Sequence, residues 1–114
     1  MTYDARAYLH DILRAGRRIM EVTGPLSRQQ FLNDWRPQSI AERQFMIIGE
    51  ALNQLLKMHP EFNGRITESE KIVGFRNVVV HGYAVIDQPR VWDLIEQKLP
   101  VMISEAECLF QELT

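Results

Sequence analysis

Arg76, His81 and Tyr83 fall within the eight residues Arg76-Asn77-Val78-Val79-Val80-His81-Gly82-Tyr83, spaced as Arg-x4-His-x-Tyr. Arginine is charged at every relevant pH and carries a planar fork of donors that matches phosphate oxygens. Histidine gives or takes a proton near neutral pH. Together they are the minimum needed to cut RNA without a metal ion. The imidazole would take the 2′-hydroxyl proton, and the guanidinium would stabilise the charge that builds on the pentacovalent phosphate. The products would be a 2′,3′-cyclic phosphate and a free 5′-hydroxyl. Tyr83 adds a modifiable phenol.

Helix geometry complicates the pairing. Five helical steps from Arg76 to His81 amount to roughly 140° of rotation and ~7.5 Å of rise, so the two do not share a face of a regular helix. Asn77 and His81, four apart, do share one, and Asn77 could orient the imidazole. Two chains related by a twofold axis would bring both Arg76–His81 pairs to one cleft, so a homodimer with a composite site is expected. Plainer roles exist for each residue taken singly. The arginine could pair with Glu50 or Glu70, the histidine could cap a helix end beside Gly82, and the tyrosine could pack on the core.

The elements that must position these groups read as helices throughout. Leu9, Ile12, Leu13, Ile19 and Met20 recur at three- and four-residue intervals, the mark of one buried helix face. Gly24-Pro25 ends that helix, glycine as a left-handed cap and proline as a stop. Ser27 to Gln30 is a capping box for a short second helix, and Ser39 to Glu42 a box for the third, with Pro37 as an earlier possible start. Ile47, Ile48, Ala51, Leu52, Leu55 and Leu56 carry that third helix to about Met58. His59-Pro60 and Asn63-Gly64 punctuate a loop. Thr67-Glu68-Ser69-Glu70 opens a fourth helix through Val78 and Val79, with Gly82 placed as its C-terminal cap. The Val78-Val79-Val80 run is too short to overturn the helical reading. Asp87-Gln88-Pro89 begins the last helix, whose apolar stripe runs from Val91 to Phe110 and contains Pro100, predicted to kink it. The expected fold is all-α, a four- to five-helix bundle in a single domain over residues 1–114.

Composition narrows the function classes. The 114 residues carry a formal charge of −2, so any RNA-binding surface must be local or built from two chains. Cys108 is the only cysteine, which excludes an intrachain disulfide and a cysteine-based zinc site. A reducing cytoplasm is the expected location. Asp4 and Arg6 stand where a signal peptide would need an apolar run. No segment approaches the ~20 apolar residues of a membrane helix. Neither a metal nor a cofactor is expected.

Segments outside the motif sharpen the reading. Phe31-Leu32-Asn33-Asp34, Ile48-Gly49-Glu50-Ala51, Gly74-Phe75-Arg76-Asn77, Asp87, Val91-Trp92 and Leu99-Pro100 occur in the order found in the HepT family of the HEPN superfamily. The chain resembles that family over nearly its whole length. The resemblance implies a homodimeric helical fold and metal-independent endoribonuclease activity, as the toxin half of a bacterial type VII-like toxin–antitoxin pair. Arg76 and His81 fall on the family's catalytic positions and Asn77 on the polar position beside the arginine. Tyr83 falls on the tyrosine to which the partner antitoxin, a minimal nucleotidyltransferase called MntA, transfers AMP. Added phosphate charge and bulk there would repel RNA and block its approach.

Arg14, Arg17 and Arg18 form a basic stripe on the first helix. They would sit on a solvated face, or guide the RNA backbone if the stripe borders the dimer cleft. His10 lies on the same polar face. His59 has no carboxylate or histidine at ligand spacing in the sequence. Glu50, as a helix carboxylate, would ordinarily be exposed, whereas the Ile48-Gly49-Glu50-Ala51 resemblance favours its facing Arg76 or Arg43 internally, with Gly49 allowing close helix approach. Trp35 and Trp92 are read as core, with dimer contact or base stacking as alternatives, and Cys108 as a small packing residue. An RNA-cutting toxin is one reading of the whole. The other is an inactive helical binding module that engages a nucleotidyltransferase partner.

Overall fold

Asp4 accepts a hydrogen bond from the Ala7 N–H at 2.9 Å and opens the first helix, α1, Ala5–Thr23. A computed structural model describes residues 4–80 and 86–113, and the side chains of 75–80 lie outside that description. Gly24 follows α1 in the right-handed region (φ −53°, ψ −43°), not as the left-handed cap that the sequence predicts. Its N–H donates to the Met20 carbonyl at 2.8 Å. Pro25 is therefore what stops the helix, because it has no N–H to continue the ladder. The capping box at Ser27 is complete, with both reciprocal hydrogen bonds, and starts α2, Arg28–Leu32.

The long helix α3 spans Trp35–Met58, and its cap is Asp34 rather than the predicted Ser39. Asp34 accepts from the Arg36 N–H and also chelates the Arg36 guanidinium through both carboxylate oxygens at 3.0 Å. Two cap sequences compete here. Pro37 can occupy a first helical turn without losing a bond, so the earlier one wins. After a single 3₁₀ turn at Pro60–Phe62 and a left-handed Gly64 (φ +83°), α4 runs Ser69–Val80. The Val78–Val80 run is thus helical, although its β-branched side chains suit strands.

Asp87 caps α5, Gln88–Asp93. The chain continues through a π turn at Leu94–Lys98 into α6, Leu99–Glu112. The Leu99 N–H donates to the Leu94 carbonyl, five residues back. Pro100 accounts for this, since it can neither donate to the carbonyl four residues earlier nor approach it closely. The widened turn just before it accommodates both constraints. Every regular element among the described residues is helical.

The core forms where α1 and α6 pack together and where α3 lies across α1 and α4. Leu9, Ile12 and Ile19 from α1, Phe45, Ile48, Leu52 and Leu55 from α3, and Leu99, Met102 and Leu109 from α6 are almost fully buried. Each such side chain contributes on the order of 1.5–3 kcal/mol through burial. Phe31 and Trp92 stack with ring centroids 5.2 Å apart and tie α2 to α5. Trp92 is core, as the sequence predicts, but Trp35 is 72% exposed. As the first residue of α3, Trp35 precedes the turns that alternate between core and solvent. Met20 and Cys108, also read as apolar-face residues, are exposed. Both lie at the margins of their stripes, where one step of ~100° turns a side chain outward.

Candidate functional site

The segment 76–83 begins in the second half of α4. Arg76 and Asn77 lie on that helix, but their side chains are outside the described residues, as are His81 and Tyr83 entirely, together with the expected cap at Gly82. What the structure shows is how the chain on either side of this segment is held.

Its approach is fixed by polar contacts to α6 and the π turn. Thr67 does not cap α4. Its N–H and hydroxyl both donate to the Glu105 carboxylate, at 3.0 and 2.8 Å. Glu68 takes a left-handed conformation (φ 54°), a cost of roughly 1–2 kcal/mol for a side chain other than glycine. Its carboxylate contacts the ammonium groups of Lys98 and Lys71, the latter at 3.1 Å. Those two cations, Lys98 first, hold the Glu68 carboxyl below its usual range. Ile72 is buried and Val73 half-buried, which seats α4 on α3.

The far side is fixed to α3. Asp87 accepts from the Arg90 N–H at 3.3 Å, and the Gln88 side-chain amide donates to Glu42 at 2.8 Å. Residues 76–83 therefore lie between two anchored ends. A groove of about 530 Å3 adjoins both ends, lined by Gly74 and Ile86. Lys71, Arg90 and Lys98 face it, and so do Glu70, Asp87 and Asp93. Among the described residues its charges balance.

The other sequence candidates are distributed over the bundle. Glu50 lies on the exposed side of α3, as does Arg43, so these two do not meet internally, and the Arg76 side chain, the other expected partner, lies outside the described residues. Gly49 is buried, as a close helix approach requires. His59 has a carboxylate nearby after all, with Glu61 Oε1 3.5 Å from its Nδ1. The 3₁₀ turn brings them together, which sequence spacing did not reveal. Among the described residues, no three His, Cys, Asp or Glu side chains gather as a metal site would require. Arg14, Arg17 and Arg18 line a groove between α1 and α6. Arg17 is paired with Glu107. α4 packs on α3 and makes no substantial contact with α1, so the stripe and the motif lie on different helix pairs of one chain. No helix among the described residues is long and apolar enough to cross a membrane.

The described residues form a helical domain with anchored contacts on either side of the Arg-x4-His-x-Tyr segment, and related sequences are known. The family model described as Ribonuclease HepT-like matches residues 12–109. The chain belongs to that family. Among its relatives is a Methanocaldococcus jannaschii protein named "putative RNase", 29% identical over 104 residues, covering 91% of this chain and 94% of that one. A second from the same organism, with the same description, is 27% identical over 114 residues, covering 96% and 90%. A Thermococcus cleftensis protein named "probable ribonuclease HepT" is 29% identical over 106 residues, covering 90% and 92%. No solved structure matches the chain.

Proposed function

We propose that this chain is a metal-independent endoribonuclease that acts as the toxin of a toxin–antitoxin pair. The observation that carries the reading is a family match running through residues 12–109, a span that includes Arg76, Asn77, His81 and Tyr83. In this reading His81 removes the 2′-hydroxyl proton, Arg76 stabilises the phosphorane charge and Asn77 orients the imidazole. Two copies place their Arg76–His81 pairs in one cleft. An MntA-like nucleotidyltransferase silences the site by AMP transfer to Tyr83, whose added charge and bulk exclude RNA.

Purified chain should cut RNA in the presence of a chelator. Arg76→Ala and His81→Ala should each lower the rate by roughly 10²–10⁴-fold or more while leaving a folded dimer. Mixing the two inactive variants should restore part of the activity, because each mixed dimer keeps one arginine and one histidine on opposite chains. Cleavage that survives both substitutions would refute the assignment, and mixtures that stay inactive would refute the composite cleft. Intact mass after incubation with the nucleotidyltransferase and ATP should rise in AMP steps, and Tyr83→Phe should abolish the gain.

A further inference from the structure

The groove between α1 and α6 has a volume of about 580 Å3, and its α1 wall carries His10, Arg14, Arg17 and Arg18. Glu21 and Glu107 are the acids that face it. In a chain of net charge −2, this is a local concentration of cations. The three arginines are not equivalent. Glu107 engages the Arg17 guanidinium. Arg14 and Arg18 are exposed and make no ion pair with any described acidic side chain. They stand one turn apart on the same face, ~6 Å along the helix axis. Leu13 and Phe110 supply an apolar floor, and the Arg6 guanidinium lies 5.2 Å from the centre of the Phe110 ring.

We propose that this groove binds the phosphodiester backbone of single-stranded RNA away from the cleaved bond. Arg14 and Arg18 contact phosphates, and Glu107 restrains Arg17. The identity of the polyanion rests on the RNA-cutting reading above. A single strand offers regularly repeated phosphates to two unpaired guanidinium forks, and flat bases to an aromatic floor. An acidic protein segment would match the charge but not the floor. Among the described residues, the groove beside α4 carries as many acids as bases, whereas the α1–α6 groove carries a surplus of cations.

The test is equilibrium binding of a fluorescent single-stranded RNA of roughly 20 nucleotides, long enough to track a groove as well as the site. The full chain is used, with His81→Ala to prevent cutting. Removing both contacts in R14Q/R18Q should flatten the plot of log affinity against log salt by about 1.4, at ~0.7 per phosphate contact. Affinity at low salt should fall roughly tenfold. Glu107→Gln should do the reverse, tightening binding several-fold by freeing Arg17 and removing a carboxylate. A gain of this kind cannot come from misfolding. An unchanged slope in R14Q/R18Q, with Glu107→Gln binding no tighter, would overturn the proposal. So would displacement of polyglutamate, but not RNA, by those substitutions. Because binding is read without cleavage, failure of the nuclease reading would appear separately, as a wild-type chain that cuts no RNA.

Discussion

At Gly16 the backbone of α1 lies against the side chains of α6, and a single added methyl group tests that packing. A Cβ built there would stand 3.0 Å from Ile103 Cγ1, 3.3 Å from Ile103 Cδ1 and 3.5 Å from Met102 Cε. Carbon atoms prefer separations of about 3.5–4.0 Å, so Ile103 must give by several tenths of an ångström. Ile103 is only partly buried, and its end can move. Displacing it off its rotamer costs roughly 0.5–1.5 kcal/mol. Against this, alanine in a helix interior is favoured over glycine by about 1 kcal/mol.

The two terms nearly cancel, so Gly16→Ala should leave stability within ~0.5 kcal/mol of the parent, although propensity alone favours alanine. Ile103→Ala removes both atoms in the way. In that background Gly16→Ala should recover the full ~1 kcal/mol, giving a coupling energy of about that size. Urea denaturation of the four proteins, with unchanged m-values, measures it. Equal gains in both backgrounds would refute the close approach of α1 and α6. The groove between those helices would then need a different floor.

Two further expectations concern the helix starts. Asp34→Ala should lower stability, through loss of the α3 cap, whereas Ser39→Ala should leave it almost unchanged. Thermal denaturation of the pair decides which sequence signal the helix uses. Lys98 and Lys71 lower the Glu68 pKa in the fold, so the folded state binds fewer protons there than the unfolded chain. The resulting stabilisation is complete above the unfolded glutamate value and is lost as pH falls through the lowered folded value. The stability difference between wild type and Glu68→Gln should therefore be present at neutral pH and close below about pH 4. A difference independent of pH would remove the ion pairs from the account.

The helices were legible because their apolar periodicity is long and their caps are local. Leu9, Ile12, Leu13 and Ile19 are buried as their spacing predicts, and Ser27 and Asp87 cap as their sequences suggest. Sequence and structure part where a local signal has a competitor. Ser39 lost to Asp34 because both precede helical sequence and Pro37 is compatible with either. Gly24 needed no left-handed cap because Pro25 alone ends α1. Trp35 and Cys108 illustrate a different limit, since hydrophobicity does not say which side of a stripe's margin faces the core. The contacts that anchor the chain on either side of the motif were not legible at all. Glu42 with Gln88, and Glu105 with Thr67, are 46 and 38 residues apart and follow no short-range rule.

Those long-range polar contacts also separate stability from positioning. Exposed ion pairs such as Glu68 with Lys71 add little stability beside the burial of Phe45, Leu52 and Met102. Their value lies in direction. Glu105 and Lys98 hold the approach to α4 against the helix that contains the π turn, and Gln88 holds the return of the chain against α3. Between these anchors α4 stays helical from Arg76 through Val80. Four of the five steps from Arg76 to His81 are therefore fixed at roughly 400° of rotation and ~6 Å of rise. In the proposed mechanism those four steps set the backbone positions from which a twofold copy would be met. The core supplies the stability for this arrangement, and the paired carboxylates of Glu42, Glu68 and Glu105 set its orientation.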